Sequence, residues 1–381
     1  MEGYRELPVV YMRGGTSKGA YINTVDLPVS PELRDACILA LYGSPDKRQI
    51  DGIGGADPLT SKVALVAKSQ REGIDVDYTF GYVGIDDAVV DYEGNCGNMS
   101  SGVGVFAIMQ GLVTPVEPKT VVTIFNTNTN KVIESHIPVK NGEPLVVGDF
   151  AIDGVPGKAA QIMLYFRDPA GAKTGKLLPT GNVKDEITLA NGKTITVSLV
   201  DAATPAIFVK AKDLGYEGSE LPATIEADPN NLLAVLEDIR TTGAVLMGLA
   251  KTKETASSAV PKVCMVSESQ SYVAINGSTI EADDIDIVAR TKALKVIHKA
   301  YAVTGGICTA TAALIPGSVV NDVVSQKAKE TNTVVLGHPS GTFSFSIDLE
   351  ITEDNIVLKK AGVARTARPI MKGVAYVPAN A

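Results

Sequence analysis

Hydrophobic and polar positions repeat at two different periods along this 381-residue chain, and the change of period marks where strands give way to helices. Runs rich in Val, Ile, Tyr and Phe, bounded by Gly, Pro, Asn or Asp, predict strands at 9–12, 20–22, 76–83, 88–92, 121–125, 131–139 and 162–166. Similar runs predict strands at 194–200, 206–210, 333–336, 342–349, 355–360 and 363–369. Helical spacing appears at 31–42, with Ser30 as N-cap and Pro31 in the first turn, and at 98–110, closed by Gly111. Further helices are predicted at 231–241, 285–300 and 307–314. The 98–110 helix is apolar nearly all round, which predicts burial inside a domain.

A chain of this length exceeds one ordinary core and implies two domains. After the turn-rich Leu177-Leu178-Pro179-Thr180-Gly181-Asn182 the order of elements begins again, so the expected halves are 1–183 and 184–369, with 370–381 returning to the first half as a strand. Weak internal likeness supports duplication. The stretch 14–22 resembles 337–343 in type, each a glycine and hydroxyl turn leading into a strand, and the helix at 98–111 resembles 305–317. Each half would then set strands around one buried helix.

Composition narrows the functional classes. With 45% hydrophobic and 20% charged residues the chain is globular, and its lack of Trp leaves packing to Val, Ile, Leu and Ala. A net charge of −8 with no cluster of Lys and Arg excludes a nucleic-acid partner. An anionic small substrate would need a local pocket of N–H donors instead. No run of about 18 apolar residues predicts a membrane span, and no basic, apolar leader opens the chain, so a cytoplasmic protein is expected. Cys37, Cys96, Cys264 and Cys308 show no metal or disulfide spacing, and three histidines lack paired spacing, so neither a metal nor a cofactor is expected. No GxGxxG follows a strand, and Lys62 lacks the flanking residues of a phosphate-binding loop, so dinucleotide and nucleoside triphosphate sites are rejected.

The chemistry concentrates at Asn95-Cys96-Gly97-Asn98-Met99-Ser100, where a thiol and small residues meet the mouth of the apolar helix. Free N–H groups at a helix start bind anions, and the same positive potential favours a reactive thiolate. Asn95, Gly97 and Asn98 fill cores poorly and suit an exposed turn, which weighs against Cys96 as a mere small hydrophobe. Lys62 leads from a glycine loop into the apolar run at 63–67. A lysine deprived of water can act as a proton carrier near neutral pH. The Arg13–Gly19 loop, with Thr16, Ser17 and two cations, suits a carboxylate or phosphate. His338-Pro339-Ser340-Gly341-Thr342 is the expected matching loop, and His298 and Lys299 are expected to end a helix as second-rank candidates. Cys264 and Cys308 read as core.

Six strings together resemble one family. They are Met12-Arg13-Gly14-Gly15-Thr16-Ser17-Lys18-Gly19, Gly43-Ser44-Pro45-Asp46 with Arg48-Gln49-Ile50-Asp51-Gly52, Ala56-Asp57-Pro58-Leu59-Thr60-Ser61-Lys62, Asn95-Cys96-Gly97-Asn98, Leu178-Pro179-Thr180-Gly181-Asn182 and His338-Pro339-Ser340-Gly341. The chain resembles, nearly end to end, the isomerases of unsaturated di- and tricarboxylates that include methylitaconate Δ-isomerases, 2-methylaconitate isomerases and 4-oxalomesaconate tautomerases. The resemblance implies an α+β, diaminopimelate-epimerase-like fold, two similar halves each with a β-barrel around a central helix and the active site between them. It matches Cys96 to one of the two thiols of epimerase relatives and sets Ser340 where the second would fall, which speaks against a two-thiol racemase.

The resemblance also implies Lys62, Cys96 and Ser17 as the catalytic residues of a cofactor-independent 1,3-proton shift. Which of Lys62 and Cys96 removes the proton depends on their coupled titration, which a sequence leaves open. Substrate carboxylates are expected on Gly97, Asn98, Ser340 and Gly341, with Thr16, Asn95, Ser100, His298, Lys299 and Thr342 as further binding candidates. The favoured reaction is 3-methylitaconate to 2,3-dimethylmaleate; the alternatives are 4-oxalomesaconate tautomerisation and 2-methylaconitate cis/trans isomerisation. From another class, a non-catalytic tricarboxylate-binding accessory protein is the rival. The expected partner is a small di- or tricarboxylate, with neither nucleic acid nor membrane, and the expected assembly is a homo-oligomer.

Overall fold

The computed structural model describes residues 2–92, 95–258, 260–293, 296–352 and 355–379. The chain begins β1 (Tyr4–Gly14), β2 (Ser17–Asn23), α1 (Pro31–Tyr42), β3 (Lys62–Lys68), β4 (Val76–Val83), β5 (Val90–Asp91) and α2 (Gly97–Met109). It continues β6 (Lys119–Asn126), β7 (Lys131–Lys140), β8 (Glu143–Pro144), β9 (Ile162–Arg167), β10 (Asp185–Thr188), β11 (Thr194–Ala202) and β12 (Thr204–Lys210). Next come α3 (Ala211–Leu214), α4 (Pro222–Glu226), α5 (Leu232–Leu246), β13 (Lys262–Ser267), β14 (Tyr272–Val273), β15 (Thr279–Ile280), β16 (Ile287–Ala293) and β17 (Val296–Ile297). The chain ends with α6 (Val303–Leu314), α7 (Gln326–Thr331), β18 (Thr333–His338), β19 (Gly341–Ile351), β20 (Ile356–Arg365) and β21 (Ala367–Pro378).

Contacts divide the chain into Met1–Arg167 with Ala364–Ala381, and Asp168–Val363. The first border thus falls earlier than the turn-rich stretch at 177–182, because hydrogen bonds tie that stretch to the second unit. Gly171 donates to the Asp201 carbonyl, Asp201 donates to Leu177, and the Asp201 carboxylate accepts from the N–H groups of Lys173 and Thr174. At the other end, β21 lies antiparallel to β1 along all of β1, which returns the C-terminal segment to the first unit.

The two units repeat one succession of pairings. In the first, β1 is antiparallel to β2, β2 parallel to β3, β3 antiparallel to β4, β4 parallel to β6, and β6–β7–β9 antiparallel. In the second, β11 is antiparallel to β12, β12 parallel to β13, β13 antiparallel to β16, β16 parallel to β18, and β18–β19–β20 antiparallel. The fold is α+β, with α2 and α6 as equivalent central helices. Both are buried along almost their whole length. Strands β1 to β4, β6, β7 and β21 contact α2, and β11, β12, β18 and β19 contact α6.

Strand alternation sorts the side chains between two layers. Ala20, Ile22, Val63 and Leu65 pack with Cys37, Ile38 and Leu41 of α1. The alternate residues Ser17, Gly19, Tyr21, Lys62 and Ala64 therefore face α2. In the second unit Ile207, Val209, Val263 and Met265 pack with Leu232, Leu236 and Ile239 of α5, which leaves Lys262 and Cys264 for α6.

Two expectations are corrected. The helix expected at 285–300, of which 294 and 295 lie outside the described residues, is β16 and β17. Its charged side chains are buried: the Arg290 guanidinium donates to the carbonyls of Ser219, Glu220 and Ala289, and Lys292 pairs with Glu237. Tertiary partners on both edges of the strand override local helical spacing. The hairpin likeness also misassigns the repeat. By order of pairing, the counterpart of the Gly14–Ser17 turn is the β11–β12 turn at Ala202–Thr204, and that of His338–Gly341 is the β6–β7 turn at Asn126–Lys131. Glycine and hydroxyl residues suit any tight turn, so their likeness carries no topology.

Candidate active site

Lys62 is the first residue of β3, opposite Gly19 of β2 in parallel register. Because Val63 and Leu65 face α1, the Lys62 side chain points to the mouth of α2. Its carbonyl accepts from the Tyr42 hydroxyl, which in turn accepts from Ala20 N–H at 2.8 Å. The loop leading into Lys62 is knitted by buried Gln49, whose amide donates to Ser61 Oγ at 2.8 Å and accepts from Ala56 N–H at 2.8 Å. The Arg48-Gln49-Ile50-Asp51 string is thus a support for the lysine.

Cys96 is the N-cap residue of α2, with φ −119° and ψ 99°, and its side chain takes no part in capping. Ser100 donates both its N–H and its hydroxyl to the Cys96 carbonyl, at 3.0 and 3.1 Å. The N–H groups of Gly97 and Asn98 precede that first intrahelical bond and point out of the helix mouth. Ser17 comes from the β1–β2 hairpin, whose two-residue loop puts Gly15 at φ +53°. Thr16 and Asn98 exchange two hydrogen bonds, at 3.0 and 3.3 Å, and pin that loop to α2.

The three side chains therefore converge. Lys62 Nζ lies 2.9 Å from Ser17 Oγ and 3.6 Å from Cys96 Sγ, and Ser17 Oγ lies 3.9 Å from Cys96 Sγ. Lys62 and Cys96 are half-buried, while Ser17 is buried. Lys62 is therefore not cut off from water as its apolar neighbourhood implied. Asn95 is held by the buried Asn126 amide at 3.2 Å. Ser100 is fully buried and bonded into its own helix turn.

The remaining candidates belong to the second unit. His298 and Lys299 follow β17 and precede α6, so they approach a helix start instead of ending a helix. His298 Nδ1 accepts from Ala300 N–H at 2.9 Å. Ser340 donates its hydroxyl to the Lys299 carbonyl and its N–H to His338 Nδ1 at 3.2 Å. That N–H is engaged within its own turn. Gly341 pairs across the hairpin with His338 and Thr342 with Gly337. By topology the counterpart of Cys96 is Ala302, N-cap of α6, and not Ser340. Lys62 corresponds to Lys262 and Ser17 to Thr204, each at the same strand position in the repeated pairing. The second unit thus carries an alanine where the first carries the Cys96 thiol, at the start of its central helix.

Over residues 4–378 the chain matches the PrpF protein family. The chain belongs to the PrpF family. It is 48% identical to 3-methylitaconate isomerase of Eubacterium barkeri, over 99% of this chain and 98% of that protein. A solved methylitaconate-delta-isomerase superposes with TM-score 0.91 at 47% identity, covering 99% of this chain and 97% of that one. A hydroxyproline epimerase from Agrobacterium vitis shares the fold alone, with TM-score 0.52 at 13% identity over 99% of this chain and 94% of that one. This PrpF protein is an isomerase with the epimerase-type α+β fold that its motifs implied.

Sequence reasoning missed the groups behind the thiol. Tyr21, whose hydroxyl donates to the Met99 carbonyl at 2.6 Å, and Tyr78 are fully buried, and burial holds both phenols well above the ordinary tyrosine range. Arg365, at the end of β20, is buried and its guanidinium is pulled down to about 9 by desolvation, while opposing charge at Asp153 and Cys96 acts the other way. A lone arginine in a late strand carries no pattern that would link it to Cys96. Among the described residues no group of three or more His, Cys, Asp or Glu side chains is placed to hold a metal ion. Among them, too, no helix is long and apolar enough to cross a membrane.

Proposed function

We propose that this PrpF protein moves a C=C bond by 1,3-proton transfer in a small unsaturated dicarboxylate, without a cofactor, and that its reaction is 3-methylitaconate to 2,3-dimethylmaleate. The observation that carries the reading is the 3.6 Å approach of Lys62 Nζ to Cys96 Sγ with Ser17 Oγ beside both. Two proton carriers of different type then meet one ligand face. One group takes the proton from the carbon that bears the methyl branch, and the electron pair left behind forms the new double bond. The old double bond shifts its electrons to the terminal methylene, which accepts a proton and becomes a methyl group. Atoms and charge balance, and no oxidant is needed.

Charge builds on the substrate carboxylate as the proton leaves. N–H groups of Gly97 and Asn98 at the start of α2 suit that charge without a mobile side chain. Ser17 orients the carboxylate and holds the Lys62 ammonium. The identity with 3-methylitaconate isomerase along the whole chain supports this choice of substrate.

The test is proton NMR in deuterated water with methylitaconate, methylaconitate, aconitate and oxalomesaconate offered separately. Deuterium entry into methylitaconate with growth of dimethylmaleate signals is the expected result. Ligand binding without any exchange would convert the reading to an accessory binding protein.

A further inference from the structure

We propose that the first unit carries a second ligand site, for a small organic dicarboxylate with an apolar body, in the cavity between β1 and the segment at 146–159. The cavity measures about 520 Å³, within the range of small-molecule sites. Arg13, Lys158 and Arg368 line it, together with Phe150, Ile152 and Val155. No Asp or Glu lines it, and neither do Ser17, Lys62 or Cys96.

The three cations lack acidic partners among the described residues. Arg13 Nη1 donates to two neutral acceptors, the carbonyls of Gly15 at 2.7 Å and Thr366 at 3.1 Å. Those bonds fix the guanidinium and leave its other N–H groups available. Burial chiefly disfavours the protonated form of Arg13; Tyr21 acts the other way, and the like charge of Arg368 adds a smaller contribution in the same direction as burial. In a chain of net charge −8, three unopposed cations around one cavity are a local exception. An anion relieves the repulsion, and a fork of guanidinium N–H groups fits carboxylate oxygens.

The far wall is preformed. The 146–159 segment is closed by antiparallel hydrogen bonds between Phe150 and Ala159, at 2.9 and 3.0 Å, and by Ala160 N–H to the Val146 carbonyl at 3.2 Å. Val146, Phe150, Ile152 and Val155 supply an apolar surface that inorganic phosphate would not use. A dicarboxylate bearing methyl groups uses both walls. The assignment rests on this cavity and not on the chemistry of Lys62 and Cys96.

Isothermal titration calorimetry of the full chain tests it, with 2,2-dimethylsuccinate as probe, since that acid has no double bond to isomerise. The titrations are run in a Lys62→Met background, which takes the Lys62 amine out of the reading and leaves Arg368 and Lys158, which line only the second cavity, to report on it. Saturable binding is expected to persist there, and adding Arg368→Gln or Lys158→Gln should raise Kd by about tenfold or more. Both residues are exposed, so thermal melts of the variants should match the parent. Titrations of both variants that superimpose on the parent overturn the site. Inorganic phosphate competing as strongly as dimethylsuccinate overturns the organic-acid assignment.

Discussion

The ammonium of Lys62 sits 3.6 Å from the sulfur of Cys96, a lysine at the start of β3 facing the N-cap of α2. Neither side chain is locked by its own element, since the thiol takes no part in capping and the lysine faces away from the α1 layer. Replacing either by Ala should slow deuterium entry at the allylic carbon by at least about 100-fold, the range of a lost general acid or base. Ser17→Ala should cost about tenfold, because it removes a support and not a proton carrier. NMR exchange rates beside circular dichroism melts make the comparison. Retained exchange in both the Lys62 and Cys96 variants would sink the assignment.

Gly19 has no room for a side chain. A Cβ there would lie 1.7 Å from the Lys62 carbonyl oxygen, across the parallel β2–β3 register. Gly19→Ala must therefore push β3 away and carry Lys62 with it. A loss of about 1–3 kcal/mol in stability is expected from such overpacking, with a fall in exchange rate larger than the fall in melting temperature implies. Denaturant titration and NMR exchange on one sample measure both. An unchanged exchange rate would show that the lysine tolerates the shift.

Glu237 is the shared counter-ion of two nearly buried cations, Arg240 at 2.6 Å and Lys292 at 2.6 Å. Hydrogen bonding to Arg240, then to Lys292, holds its carboxyl down to about 2. The folded value lies below the unfolded one, so this stabilisation is complete above the ordinary Glu range and is lost as pH falls toward 2. The Glu237 side chain is 43% exposed, so screening limits the effect to roughly 1 kcal/mol. Glu237→Gln should lower the melting temperature at pH 7 and flatten its dependence between pH 5 and pH 2. Parallel acid limbs in the two proteins would refute this.

Lys262 occupies in the second unit the place of Lys62, and burial pulls its ammonium below the ordinary lysine range. Its folded value lies below the unfolded one, so the unfolded chain holds the proton more tightly and stability rises as pH climbs toward that unfolded value. Lys262→Met should raise the melting temperature at neutral pH, with the gain shrinking as alkalinity increases. Differential scanning calorimetry across that range decides it, and a lower melting temperature for the variant would contradict the sign.

Much of the fold was legible because long apolar runs have few ways to be satisfied. The 98–110 pattern, apolar on every side, emerged as the buried helix α2, and Ser30-Pro31 opened α1 where capping rules set it. Residues 285–300 failed because Arg290 and Lys292 find buried partners that no local window contains. The bond from the Ser100 hydroxyl to the Cys96 carbonyl was equally illegible, since a hydroxyl in a helix mouth carries no mark of which acceptor it takes.

By itself, the sequence determined the α+β class, the family, and the residue types at the site, since these depend on local periodicity and on motif strings that survive at fixed spacing. Only the tertiary structure decided that Ser17, Lys62 and Cys96 meet, that Arg365 stands behind them, and that Ala302 takes the place of a second thiol. Strand register and the sorting of alternate side chains between two helices set those distances. They arise from pairings between residues far apart in the chain, which no stretch of neighbours encodes.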